Sequence, residues 1–177
     1  RVLAYGDSLT AGFHDDGQRF APYGAALAEA LAPDFAAEVW VCGLSGLTAV
    51  QMVKRMRAKK LRDGVGRTGK GLQRVVLEDG PFDLALIMAG TNDLAGGVSP
   101  AGLVTCIQAL HFACHELRIE TVALSVPPNE VCPSDRASGS RPTQSRRRAD
   151  YRDRWLRTNE LLANWAAAAA GAGEAGA

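Results

Sequence analysis

Four short apolar runs, separated by stretches of helical periodicity, constrain this chain more than any other feature. They are Arg1–Tyr5 (RVLAY), Ala37–Cys42 (AEVWVC), Leu84–Ala89 (LALIMA) and Thr121–Val126 (TVALSV). Apolar runs of this length suit strands buried on both faces. Between the first two, Tyr23, Leu27 and Leu31 recur every four residues, and Pro33 follows as a stop. Ser99-Pro100 supplies an N-cap and a first-turn proline. Leu103, Ile107, Leu110, Cys114 and Leu117 then follow at three- and four-residue steps, which predicts one buried stripe. A last helix is expected from about Thr143 into the alanine run, with Tyr151, Trp155, Leu162 and Trp165 on one side. Strands alternating with crossover helices imply a parallel sheet covered on both faces, in an α/β layered domain.

Composition narrows the function classes. A chain of 177 residues, 47% hydrophobic and 22% charged, fits one folded domain. Twenty Lys and Arg against 19 Asp and Glu leave a formal charge of +1. Nucleic-acid binding needs a clear basic excess, so none is expected. No run approaches the about 20 apolar residues of a bilayer-crossing helix. Neither a signal peptide nor an initiator Met precedes the first strand, and the native protein is expected to continue upstream of Arg1.

Residues 127–142 are rich in Pro and Ser and are expected to form a long surface loop. The division is a domain over 1–170 and a flexible tail over 171–177. Cys42, Cys106, Cys114 and Cys132 follow no disulfide or zinc spacing and read as small buried hydrophobes. Nine basic residues between Lys54 and Arg74, with Asp63 the one acid among them, read as a solvated helix face.

Ligands of open α/β sheets bind beyond the carboxyl ends of the strands. Gly6-Asp7-Ser8-Leu9-Thr10 follows the first run, Gly43-Leu44-Ser45-Gly46 the second and Gly90-Thr91-Asn92-Asp93 the third. A hydroxyl, glycine amides and a carboxamide thus converge from three strand ends. These groups suit acyl transfer, in which a serine oxygen attacks a carbonyl and preorganised donors meet the charge that develops. Gly46 offers a backbone N–H with no side chain in the way, Asn92 an NH₂ donor, and Ser8 its own N–H. Each residue alone has a blander use as a turn or cap former.

In this order the blocks resemble the GDSL esterases and lipases, also called SGNH hydrolases. Gly6-Asp7-Ser8-Leu9 matches the block whose serine is the nucleophile. Gly46 stands where the family has its oxyanion glycine, and Asn92 of Gly90-Thr91-Asn92-Asp93 where it has its oxyanion asparagine. Phe20-Ala21-Pro22-Tyr23-Gly24 and the Trp155…Asn159…Leu162 helix support the match, which covers about residues 1–165. The resemblance implies a three-layer α/β/α fold on a flavodoxin-like parallel sheet. It implies a small-molecule ester substrate, an acyl-enzyme on Ser8, and no metal or organic cofactor. Asp7 and Asp93 are expected to brace the loops, and neither is cast as a triad member.

The family's last block, Asp-x-x-His after a fifth strand, occurs nowhere in these 177 residues. The sheet is therefore expected to lack its last strand, and the base to come from beyond Ala177. Of the three histidines, His14 lies six residues past Ser8 and reads as an exposed loop residue. His111 and His115 are spaced i, i+4, as metal pairs are, but have no third ligand beyond Glu116 and read as a surface or groove-lining pair. A second reading is a catalytically silent module of the same fold that binds a small molecule or glycan. A nucleotide- or flavin-binding domain is weaker, because Gly6-Asp7-Ser8 is neither GxGxxG nor a P-loop and Asp7 repels phosphate.

Overall fold

The computed structural model describes residues 1–128 and 141–174, with side chains over 1–128 and 149–170. Its elements are β1 (Val2–Gly6), α1 (Ser8–Ala11), β2 (Phe13–His14), β3 (Arg19–Phe20), α2 (Gly24–Leu31), β4 (Val39–Gly43), α3 (Ala49–Lys54), β5 (Leu61–Arg62), β6 (Thr68–Gly69), α4 (Leu72–Asp79), β7 (Leu84–Met88), α5 (Thr91–Ala95), α6 (Pro100–His115), β8 (Glu120–Ala123) and α7 (Arg141–Glu174). The four expected strands form one parallel sheet in the order β4-β1-β7-β8. Numbered among themselves these run 2-1-3-4, the flavodoxin-like order.

Central β1 is buried along its whole length. Its alternation sends Leu3 and Tyr5 to one face and Ala4 to the other. Leu3 and Tyr5 join Ala85, Ile87, Leu72, Val75, Leu103, Ile107 and Leu110 in the main core under α3, α4 and α6. α7 packs beside α6, with Tyr151 and Leu162 buried and Trp155 and Trp165 against the core, as its periodicity requires.

The opposite face is covered less than expected. α2 packs on β4, whereas Leu84, Leu86 and Met88 are half-buried and Val122 is 42% exposed. β8 pairs only with β7 among the described residues, and its outer edge is open. Beside that edge a groove of about 630 Å³ runs between His111 and His115 of α6, Thr121 of β8 and Trp165 of α7.

Three expectations need correction. α6 ends at His115, so Leu117 falls outside the stripe and is exposed. The chain turns through a left-handed Arg118 (φ 58°), Ile119 N–H bonds Cys114 O, and Ile119 takes the buried place instead. The basic stretch 54–74 is no single helix face: it holds the end of α3, the β5–β6 hairpin and the start of α4. Finally, helix α7 begins at Arg141 and extends to Glu174, through residues expected as loop and tail. Residues 129–140 of the expected loop, Cys132 among them, lie outside the described residues.

Candidate active site

Register places the candidate residues. Gly6 is level with Gly43 of β4 and Met88 of β7, so three adjacent strands end at the same height. The segments leaving these strands therefore emerge on one carboxyl-side edge of the sheet.

The first segment turns at once into α1. Asp7 is its N-cap, and the Asp7 Oδ1 accepts from Leu9 N–H at 3.0 Å. Ser8 is the first helical residue, and its N–H is one that a helix cannot bond internally. A Cβ on Gly43 would lie 2.1 Å from Ala11 N, so only glycine lets α1 lie this close to β4.

The second segment extends the sheet by one bond, Leu44 N–H to Gly6 O at 2.8 Å, and then reverses at Gly46 with φ +77°. Positive φ at low cost requires glycine there. Ser45 is buried and fixed on both sides: its N–H bonds Asp63 Oδ2 at 3.2 Å, and its carbonyl accepts from Gly64 N–H at 2.7 Å. Asp63 also accepts from Val65 and Arg67 N–H at 3.1 and 2.7 Å. Its buried carboxylate thus ties the β5–β6 hairpin under the Gly46 turn.

The third segment starts α5. Asn92 Nδ2 donates to Leu47 O at 2.9 Å, bonding the β7 end directly to the residue after Gly46. One of its two N–H groups stays available. Asp93 is fully buried, and its carboxylate accepts from Ala49 N–H at 2.7 Å and Val50 N–H at 3.4 Å.

Exposure separates reacting candidates from supports. Ser8 and Asn92 are half-buried and Gly46 is exposed, whereas neighbours Asp7, Ser45 and Asp93 are buried. Burial pushes the Asp7 carboxyl up to about 6, with Leu9 N–H opposing and the Asp93 charge adding. Burial likewise raises Asp93, against the pull of the Ala49 and Val50 N–H groups.

The histidines are elsewhere. His111 Nδ1 and His115 Nε2 share the Thr121 hydroxyl at 2.7 and 2.8 Å. Thr121 is level with Ala85, three residues before the Met88 end of β7, so these rings meet the sheet roughly 10 Å from the edge that carries Ser8. His111 is buried rather than at the surface, and the pair lines the groove beside β8. His14 sits on β2 with its Nδ1 3.4 Å from Asp15 Oδ2. Among the described residues no group of three His, Cys, Asp or Glu could hold a metal. Cys42, Cys106 and Cys114 are free thiols; of these only Cys114 is the buried hydrophobe expected, and burial pushes it up to about 12, whereas Cys42 and Cys106 are half-buried.

One support escapes sequence reading, and a second was legible as a helix motif but not in what it binds. Asp63 was legible only as the acid in a basic stretch, although Asp63-Gly64 is a turn signal. Trp155 Nε1 and Asn159 Nδ2 both donate to Val126 O, at 2.7 and 2.9 Å, while Asn159 Oδ1 accepts Val126 N–H at 2.8 Å. They bind the chain leaving β8 to α7.

A family model described as the GDSL-like lipase/acylhydrolase family matches residues 4–173. Among solved structures the chain is similar to AlinE4, a SGNH-hydrolase family esterase, at 28% identity and TM-score 0.52, over 72% of this chain and 60% of that one. It shares its fold with the inhibitor-bound aryl esterase of M. smegmatis at 21% identity and TM-score 0.63, over 94% of this chain and 79% of that one. A lipase/acylhydrolase from Enterococcus faecalis matches at 21% identity and TM-score 0.52, over 92% and 71% of the two chains. No curated protein gives a significant match. The chain spans less than two thirds of the length of AlinE4.

Proposed function

The chain belongs to the GDSL-like lipase/acylhydrolase family, and from that premise we propose that it is a serine esterase cleaving carboxylic esters through an acyl-enzyme on Ser8. One observation carries the reading. Three strands end in register, and the Asn92–Leu47 bond ties the third loop to the second beside Gly46.

In this mechanism Ser8 Oγ attacks the carbonyl carbon and passes its proton to a base. The carbonyl oxygen becomes an oxyanion held by Ser8 N–H, Gly46 N–H and the free N–H of Asn92. Collapse breaks the ester bond, the alcohol leaves with the proton returned by the base, and water releases the acid from Ser8. Every step is a proton or acyl transfer, and none calls on a cofactor. Leu9, exposed beside Ser8, offers apolar surface to a substrate.

The base is the part supplied from elsewhere. A serine hydroxyl is a poor nucleophile without one. His111 and His115 bond to Thr121, away from the Ser8 edge. The family places an Asp-x-x-His after a fifth strand. An open β8 edge and a half-covered sheet face support such a strand pairing with β8. We place the base in residues following Ala177.

The test compares two proteins on short-chain p-nitrophenyl esters: the native-length gene product and the 177-residue chain. The expected result is turnover by the first, abolished by Ser8→Ala, and near-background activity in the second. Equal turnover by both would show that the base lies within residues 1–177. A stop codon directly after Ala177, with no turnover, would favour the silent binding module.

A further inference from the structure

Asp93 has no part in the proton or acyl transfers above, yet its buried carboxylate joins two of the loops that carry the candidate residues. It is fully buried, and burying an ionised carboxylate costs several kcal/mol unless hydrogen bonds compensate. The compensation comes from Ala49 and Val50, the first two residues of α3. The third, Gln51, has its N–H taken by Thr48 Oγ1 at 3.1 Å, while Gln51 Oε1 accepts from Thr48 N–H at 3.1 Å. Asp93 therefore supplies what the local capping box leaves unmet.

Two neighbouring residues of α5 thus grip one short segment from two sides. Asn92 donates to the Leu47 carbonyl, and Asp93 accepts from the Ala49 and Val50 amides. Gly46 is the residue immediately before that gripped segment. Its left-handed backbone is exposed, and on its other side the turn is anchored through Ser45. A donor and an acceptor side by side allow one register of the two loops and no slip.

We infer that Asp93 is a positioning residue that fixes the Gly46 N–H and the Asn92 side chain at a set separation as one oxyanion site. This rests on the esterase reading. Asp93 acts through Ala49 and Val50 and touches no substrate. Displacement of a catalytic group by about 1 Å costs about 10²-fold in rate, while ground-state binding by the remaining loops is kept.

The experiment is a double-mutant cycle in the native-length protein with a short-chain p-nitrophenyl ester. Asp93→Asn retains one acceptor but turns an NH₂ group toward a backbone N–H, and kcat is expected to fall about 10- to 100-fold with KM within about twofold. In an Asn92→Ala background the same change should cost at least several-fold less than in the wild type, because one of the two donors it aligns is gone. Full additivity, or a rise in KM without loss of kcat, would overturn the inference and leave Asp93 a stabilising residue only. Ala49→Pro removes the closer of the two N–H donors while proline suits a first helical position, and decides the matter if Asp93→Asn does not fold. It too should lower kcat at near-constant KM; unchanged kcat overturns the inference. Turnover that survives Ser8→Ala would overturn the esterase reading itself. Ser8-dependent turnover indifferent to both variants would overturn only the role of Asp93.

Discussion

Replacing Asp7 by Asn should stabilise the protein, and only above the acid range. The side chain is fully buried, and its carboxyl is pushed from 3.8 up to about 6, chiefly by burial. A shift of about 2 units corresponds to about 3 kcal/mol between protonation states. Because the folded pKa is the raised one, Asp7 favours the folded state fully below pH 3.8, and this contribution is lost as pH rises through about 6. Asparagine keeps the Oδ1 that accepts from Leu9 N–H and carries no charge to bury. At pH 7.5 the variant should gain up to about 3 kcal/mol, or roughly 6–12 °C in Tm for a domain this size. At pH 4 the two proteins should melt together.

His111 works in the opposite sense. Burial, with His115 beside it, lowers its pKa from 6.5 to about 4, so it contributes stability above pH 6.5 that is lost as pH falls through about 4. The two slopes oppose each other between about pH 4 and 6, and the wild-type Tm should change little there. Asp7→Asn should expose the His111 loss toward acid, whereas His111→Asn should expose the Asp7 loss toward neutral pH. Differential scanning calorimetry across pH 4–8 reads all three curves. An Asp7→Asn gain that is equal at every pH would assign the effect to packing, and no gain at pH 7.5 would refute the burial argument.

Two further outcomes test the site and its frame. Asn92→Ala should lower kcat by about 10²–10³ with the fold intact by circular dichroism, and an unchanged rate would remove Asn92 from the oxyanion site. Asn159→Ala leaves the buried Val126 N–H without its acceptor and should cost about 1–3 kcal/mol in urea unfolding, with little effect on the Ser8 edge; a neutral result would mean that Trp155 alone holds Val126.

The candidate residues could be placed from the sequence because the strands that precede them could. Val2–Gly6, Val39–Gly43 and Leu84–Met88 are short apolar runs, the first buried on both faces and the third on one, and each ends in glycine or is followed by Ala89-Gly90. Parallel register then brings distant residues to one edge, so order in the sequence sufficed for Ser8, Gly46 and Asn92 as candidates. Two-residue strands carry no period, and β2–β3 and β5–β6 left no such trace. Asp63 was hidden for the same reason: its partners are two backbone amides of a hairpin with no apolar pattern and the distant amide of Ser45. Leu117 misled because a helical period says where apolar residues would lie if the helix continued, and nothing about the left-handed Arg118 that ends it. That Asp93 reaches across to Ala49 and Val50 results from packing of α5 against α3, which no local pattern encodes.

The most direct test of the central claim is chemical. The native-length protein, treated with a fluorophosphonate and digested, should carry one phosphonyl adduct by mass spectrometry, on the peptide holding Gly6-Asp7-Ser8-Leu9 and specifically on Ser8. Labelling of a different residue, or ester turnover in a protein whose Ser8 stays unmodified, would contradict it.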